Sequence, residues 1–351
     1  MILFITNDLK GENGWSMVSV NILREIKRFN KVLTVTRKGG LGDCQYFARD
    51  GHRNPLQMIR DARKITKKAL RINEKVSSII CAIEPFLPIS VIIKRWLNVK
   101  KLILIGHGTY IYYPFVQFPK CLISRLFSTA VDNLVVPSEF TRNRAAKWYK
   151  REISVVPWGV NEPRSKYLTR DRKHFIFIGE LKERKGVSTL FDAISLLRSE
   201  FREIKLIMIG EIHLKYVEES RLKGLENNIT FKGVVSEHEK NKLLRRAFAL
   251  VLPSINVKDD FEGFGLVHLE ANANGVASIG SRFTANEEVI LDGKTGFLCN
   301  QGDAFDLSEK MRRFLVDKNL ALTMGLDGIL HAKRMNWEVV GRRFEHIIGN
   351  S

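Results

Sequence analysis

Short apolar runs alternating with helical segments from Met1 to Leu298 narrow the fold of this chain more than any other feature. In the first half the runs are Ile2 to Thr6, Val32 to Thr36, Ser78 to Ile83, Leu102 to Gly106, Leu134 to Pro137 and Ser154 to Pro157. After Asn161 the pattern restarts, with Phe175 to Gly179, Leu206 to Gly210, Ile229 to Gly233, Ala249 to Pro253, Ala277 to Gly280 and Gly296 to Leu298. Strand-length runs separated by helix-length segments predict parallel βα units, and the restart predicts two α/β domains. The polar stretch Glu162 to Lys173, which contains Pro163, is the expected linker. The expected boundaries are 1–168 and 169–335, with 336–351 as a terminal helix. A chain of 351 residues is long for one core and comfortable for two.

Charge is unevenly spread. Residues 1–168 hold 29 Lys+Arg against 12 Asp+Glu, whereas 169–351 hold 28 against 26. The basic half favours an anionic partner: lipid headgroups, a phosphorylated acceptor or nucleic acid. No helix-turn-helix, zinc finger or aromatic-rich recognition strand is present, which argues against a nucleic-acid-binding protein. Cys44, Cys81, Cys121 and Cys299 are scattered without metal-ligand spacing, so reduced thiols are expected and neither disulfides nor structural zinc. No apolar stretch reaches the roughly 18 residues of a membrane span, and the chain opens on a strand pattern rather than a charged leader. A cytoplasmic protein, in peripheral contact with the inner face of the cell membrane, is the expectation.

The segment Phe261 to Gly275 carries the most chemistry. It sets Glu262 and Glu270 eight residues apart across Gly263-Phe264-Gly265-Leu266, between an apolar strand and a helix-forming run. Amides at such a helix start favour anions. Two carboxylates flanking an anion-binding turn suit a ligand with phosphates in the middle and hydroxyls at both ends, as in a nucleotide-sugar. The segment resembles the E-x7-E signature of retaining glycosyltransferases of GT-B architecture, in particular family 4. That resemblance implies two Rossmann-like α/β domains facing across a cleft, with the terminal helix crossing back to the first domain.

Other segments carry the same resemblance. Gly179 to Leu190 is similar to the family's Gly-Arg-Leu-x-x-x-Lys-Gly segment and places Lys185 at its lysine position. Glu180 stands where Arg is usual, with Arg184 nearby as a partial substitute. Phe231-Lys232-Gly233 resembles the segment along the nucleobase. Glu287 to Ile290 with Gly293 to Leu298 resembles the last block, and separately Ala277 replaces a usual proline. Gly11 to Ser16, with Gly11 and Gly14, resembles the glycine-rich first loop, whose amides would meet a phosphate or an acceptor hydroxyl; a plain strand-to-helix turn fits that stretch equally. His107, between Gly106 and Gly108 at the end of a strand, matches a histidine that faces the transferred sugar.

The resemblance implies a retaining transferase; no Asp-x-Asp metal motif is present, and with Lys185 and the helix-start amides available, metal-independent chemistry with no cofactor is expected. Its donor is a UDP- or GDP-sugar and its acceptor a lipid-linked or cell-surface glycan. Glu270 would bond the ribose hydroxyls, Lys185 and the Gly263 to Leu266 amides the diphosphate, and Glu262 the sugar. A fixed ammonium at the departing diphosphate acts catalytically as well as in binding. No carboxylate nucleophile is assigned, so a same-face displacement through an ion-pair-like state is implied. The unusual Glu180 leaves a catalytically inactive relative as the alternative. Finally, Pro55 to Val76 repeats Ile59, Ala62, Ile65, Ala69, Ile72 and Val76 at helical spacing among Arg60, Arg63, Lys64, Lys67, Lys68 and Arg71. This pattern fits a helix lying on an anionic membrane and also a packed helix with a solvated face. Val91 to Lys101 adds a second basic segment around Trp96.

Overall fold

The computed structural model describes residues 1–11, 13–37, 42–47, 55–72, 74–161, 169 and 171–349, without the side chains of 44–47. Most of the expected linker, 162–168 and 170, lies outside the described residues. The strands are β1 (Ile2–Ile5), β2 (Val32–Arg37), β3 (Cys44–Phe47), β4 (Ser78–Cys81), β5 (Lys101–Ile105), β6 (Asn133–Val136), β7 (Glu152–Val155), β8 (His174–Ile178), β9 (Leu206–Ile209), β10 (Ile229–Gly233), β11 (Ala247–Val251), β12 (Ala277–Ser281) and β13 (Gly296–Cys299). The helices are α1 (Gly14–Ile26), α2 (Pro55–Arg71), α3 (Leu87–Trp96), α4 (Tyr113–Val116), α5 (Lys120–Ser128), α6 (Glu139–Ala145), α7 (Val187–Leu197), α8 (Leu214–Leu222), α9 (Glu237–Arg245), α10 (Leu266–Ala273), α11 (Ala304–Val316), α12 (Lys318–Arg334) and α13 (Trp337–Gly349). The chain divides into unit 1, Met1–Trp158 with Trp337–Ser351, and unit 2, Gly159–Asn336.

Among the described residues, unit 1 holds one parallel sheet in the order β3-β2-β1-β4-β5-β6-β7. Its central strands β1, β4 and β6 are buried along their whole length, as helices on both faces require, and read as near-continuous apolar runs. β3 is an edge strand that the apolar pattern misses: Cys44-Gln-Tyr-Phe is short and breaks the aliphatic run. α13 packs on α1, burying Trp337, Val340, Phe344, Ile347 and Ile348. Gly341 makes the close approach possible, because a Cβ there would stand 2.6 Å from Cβ of the buried Glu25.

α2 ends at Arg71, short of the expected Val76, and packs against α3. Ala62, Ile65 and Ala69 face the core while Arg60, Arg63, Lys64, Lys67 and Arg71 remain exposed. Lys68 is half-buried and donates to the Asp43 carbonyl oxygen. In α3, Lys94 is drawn out of the basic set by Asp132, whereas Arg95 and Trp96 are exposed.

Unit 2 holds a parallel sheet in the order β10-β9-β8-β11-β12-β13. Its core joins Phe175, Phe177, Phe191, Phe297 and Phe314 with the aliphatic faces of α7 and α11. Each such side chain contributes roughly 1.5–3 kcal/mol on burial. Arg172, within the expected linker, is itself buried and donates to the carbonyl oxygens of Ala247 (2.7 Å) and Gly275 (2.8 Å). Both sheets reverse strand order once, between β1 and β4 and between β8 and β11. Open α/β sheets bind ligands at the carboxyl side of such a reversal.

Candidate active site

In unit 2 the two loops at the reversal are bonded together. After β8 the chain passes Gly179, makes the short 3-10 turn Glu183–Lys185 and enters α7 through Gly186. Gly186 has φ +67°, and a Cβ there would lie 2.0 Å from the Pro253 carbonyl oxygen, so only glycine lets this loop close on the end of β11. The Ile255 amide then donates to the Arg184 carbonyl oxygen at 2.8 Å.

This closure brings Lys185 and Arg184 to Glu262. Lys185 Nζ lies 2.5 Å and Arg184 Nη1 2.8 Å from Glu262 Oε2, and Arg184 Nε lies 3.1 Å from Asp260. Only 12% of the Lys185 and Glu262 side chains is exposed, so the pair is poorly screened. Burial works against the charged carboxylate, but the Lys185 ammonium and the Arg184 guanidinium outweigh it and hold Glu262 down to about 2. Burial pulls Lys185 below its ordinary value, with Glu262 resisting. The sequence assigns Glu262 to the sugar and Lys185 to the diphosphate; here they bond to each other.

The Gly263 to Leu266 turn leads into α10 through Gly265, at φ +80° and with no side-chain cap. Phe264 is buried, so only its backbone can face a ligand. Glu270 sits one turn into α10, and Lys240 of α9 reaches it at 3.0 Å and Glu237 at 2.8 Å. Burial opposes the Lys240 charge, yet the two carboxylates raise its pKa. Lys232 is exposed at the end of β10, and the Gly233 carbonyl oxygen accepts from the Gly210 amide at 2.9 Å. A Cβ on Gly210 would in turn fall 2.0 Å from the Gly179 carbonyl oxygen, so the ends of β8, β9 and β10 meet through glycines. Glu180 is held by Lys182 at 2.6 Å and by His213 at 3.6 Å, which compensates its charge.

Sequence reasoning passed over Lys240, Asp260 and His268. His268, on α10, is fully buried with neither ring nitrogen hydrogen-bonded, and burial lowers it to about 3. Lys240 lies 30 positions from Glu270, and no local spacing marks that pairing.

In unit 1 the expected residues fall at the β1–β4 reversal. Gly11 has φ +73°, and its amide donates to Ser16 Oγ at 2.9 Å, so this amide, expected to meet a phosphate or an acceptor hydroxyl, is committed within the loop. Ser16 Oγ donates to Asp8 at 2.5 Å, and Asn13 caps α1 just before Gly14. His107 follows β5 and donates through Nε2 to the Ala82 carbonyl oxygen at 2.8 Å, which leaves Nδ1 as the acceptor. Burial pushes its pKa down to about 4, against the pull of that bond, so the ring is neutral. Its ring centroid stands 5.8 Å from that of Trp158. His107 lines a cavity of about 230 Å³ with Asn7, Trp15, Ile83, Glu84, Pro85 and Tyr110. The sequence reading did not single out Trp15, Glu84 or Tyr110. Among the described residues no three His, Cys, Asp or Glu side chains converge as a metal site.

Residues 161–329 match the family model for glycosyl transferases group 1. An uncharacterized glycosyltransferase of Methanocaldococcus jannaschii is 29% identical over 60% of this chain and 57% of its own. The phosphatidyl-myo-inositol mannosyltransferase of Mycobacterium leprae is 29% identical over 55% of this chain and 52% of its own. The chain thus spans about half the length of these curated relatives. The structure of HepE from Anabaena, solved with UDP and glucose, aligns with TM-score 0.81 and 15% identity, covering 100% of this chain and 99% of that one. The two units have the GT-B fold, and the part of the chain that matches the glycosyl transferases group 1 model lies within unit 2.

Proposed function

We propose that this protein is a metal-independent retaining glycosyltransferase of family 4, moving a sugar from a UDP- or GDP-sugar to a lipid-linked or cell-surface glycan acceptor. One observation carries the reading: Lys185 and Arg184 converge beside the uncapped start of α10 at the strand reversal of unit 2. Two cations and a helix start suit a diphosphate. The UDP and glucose held in the HepE structure support the donor class.

In this reading the incoming diphosphate takes Lys185 and Arg184, and Glu262 is released to bond sugar hydroxyls. Glu270 exchanges Lys240 for ribose hydroxyls, at which point Lys240 retains Glu237. As the glycosidic bond breaks, charge grows on the leaving diphosphate, and the fixed Lys185 ammonium stabilises that state more than the ground state. His107, neutral and oriented by Ala82, is a sugar contact rather than a general base. Gly233 and Lys232 border the nucleobase side.

Two features of unit 1 support contact with an anionic membrane. α2 presents exposed Arg60, Arg63, Lys67 and Arg71, and α5 exposes Leu122, Ile123 and Leu126 beside Phe118, Lys120 and Arg125. Among the described residues no helix is long and apolar enough to cross a membrane. Incubating the purified chain with UDP- and GDP-sugars and a lipid-phosphate acceptor tests the function. Release of nucleoside diphosphate with a stereochemically retained product is expected, and failure with every donor in the presence of bound nucleotide would remove transferase activity.

A further inference from the structure

Two buried polar side chains beside the start of α10 hold groups that the free site does not use. His268, on the first turn of α10, is fully buried with neither ring nitrogen hydrogen-bonded. Burial lowers its pKa to about 3, with Glu262 pulling it up and Lys185 down, so the ring is neutral and carries one N–H and one bare nitrogen. Asn286, in the 3-10 turn Ala285–Glu288, is fully buried as well. Its Oδ1 accepts from the Ser281 amide at 3.2 Å, while its Nδ2 has no partner. Gly265 lies between the two. A Cβ there would fall 2.7 Å from Asn286 Nδ2, 2.9 Å from His268 Cδ2 and 3.6 Å from His268 Nε2. The Cδ2–Nε2 edge of the imidazole therefore faces an uncommitted amide donor, and Nδ1 lies on the opposite edge.

We propose, resting on the nucleotide-sugar reading of unit 2, that His268 is a positioning residue for Glu262. When a diphosphate takes Lys185 and Arg184, the Nδ1–H of His268 donates to the Glu262 carboxylate, and Asn286 Nδ2 donates to His268 Nε2.

The occupied site creates the need for such a partner. Lys185 and Arg184 both bond Glu262 Oε2, and only 12% of the Glu262 side chain is exposed. A ligand that draws both cations away leaves a carboxylate that water screens poorly, and an unpaired buried charge is costly. Sugar hydroxyls can meet one of its oxygens, but both oxygens accept. His268 lies six positions after Glu262, its influence reaches that carboxylate, and its N–H is uncommitted. A neutral ring can pair with the carboxylate without competing with the diphosphate for the two cations. Asn286 decides which nitrogen carries the proton: an amide N–H directed at Nε2 requires the bare nitrogen there and the proton on Nδ1. An apolar side chain at 268 would fill the same space without burying two unpaired nitrogens. A histidine kept there at that cost points to a state of the site in which it is paired. Held from behind, Glu262 keeps one orientation toward the sugar, and a misplaced group at a reacting centre loses rate.

Long-range 1H–15N NMR of the imidazoles in the 15N-labelled full chain, with and without UDP-glucose and GDP-mannose, tests the proposal. The His268 signals are those absent from His268→Leu. On binding, the ring is expected to remain singly protonated with its proton on Nδ1, and that proton to move downfield. Turnover of the donor, read as release of UDP or GDP by transfer or hydrolysis, should fall about tenfold in His268→Leu, with the donor KM changed by less than about threefold. His268→Asn, whose amide N–H falls near the place of Nδ1–H, should retain about a third of the parent turnover or more. Asn286→Ala, which removes the group facing Nε2, should show the same loss and serves if His268→Leu fails to fold. A ring that does not respond to a bound nucleotide-sugar overturns the proposal. So does a proton found on Nε2 or on both nitrogens, or full turnover in the folded Leu variant. If the parent binds neither nucleotide-sugar, the glycosyltransferase reading falls and takes this role of His268 with it; binding with an unresponsive ring sinks the role of His268 alone.

Discussion

Lys185 and Glu262, 77 positions apart in sequence, share a contact of 2.5 Å at the reversal of the unit 2 sheet, where Arg184 joins the same carboxylate oxygen. The cations that suit a diphosphate are neutralised by the carboxylate that suits a sugar. The site therefore avoids both an unpaired buried charge and mutual repulsion of Lys185 and Arg184.

Removing the carboxylate should expose that repulsion. Glu262→Ala is expected to lower unfolding stability by about 3 kcal/mol, the scale for breaking a buried pair. Saturating UDP or GDP should restore more stability to this variant than it adds to the parent, because the ligand replaces the lost anion. Equal stabilisation of both proteins, read from urea midpoints, would dissociate the pair from ligand binding.

The same pair sets a pH window. The Glu262 pKa falls from an ordinary value near 4.5 to about 2 on folding, so the native state binds fewer protons there. The stability it contributes is full above about pH 4.5 and is lost as pH falls toward 2, amounting to about 3 kcal/mol. Glu84 acts with the opposite sign, since its folded value is raised to about 7. Its contribution favours the native state at low pH and is lost as pH rises from about 4.5 to 7. Urea titrations should show a shallower acid decline in Glu262→Gln and a shallower loss between pH 5 and 7 in Glu84→Gln. Curves parallel to the parent would refute these assignments.

At Gly186 the constraint is steric. Gly186→Ala meets both the φ of +67° and the Pro253 carbonyl oxygen at 2.0 Å, so a loss of more than about 2 kcal/mol is expected, beyond αL strain alone. An unchanged melting temperature would mean that the loop does not close on β11.

His268 offers a contrasting case. Both its nitrogens are buried without hydrogen bonds, so His268→Leu should be neutral or stabilising by about 1 kcal/mol. Destabilisation of more than about 2 kcal/mol would reveal a polar partner.

For the membrane, Arg63→Ser, Lys64→Ser and Lys67→Ser together should weaken binding to anionic vesicles by about 3 kcal/mol, near 1 kcal/mol per basic residue. Binding should also fall with added salt. If the triple variant sediments with vesicles as the parent does, α2 is a solvated face and the apolar side of α5 becomes the surface to alter.

Much of this was legible in sequence because parallel strands buried on both faces leave unbroken apolar runs, as in Ile2 to Ile5 and Ala247 to Val251. β3 escaped because Cys44-Gln-Tyr-Phe offers no such run at the sheet edge. Lys185, Arg184 and Glu262 could be named singly from their motifs, but their mutual contact is non-local and depends on the closure at Gly186. Lys240 carries no motif, and only packing of α9 beside α10 brings it to Glu270. Glu84 could have been reached from its position just after β4, at the reversal, but the order of the strands is not written in any single segment.

The central claim is that unit 2 binds a nucleotide-sugar diphosphate through the Lys185 and Glu270 positions. Calorimetric titration of UDP and GDP into the parent, Lys185→Ala and Glu270→Ala tests it most directly. At least one nucleotide is expected to bind the parent, and each variant is expected to lose roughly 1–3 kcal/mol of affinity, the scale of charge-assisted hydrogen bonds. Undiminished affinity in both folded variants, or no binding of either nucleotide to the parent, would contradict it.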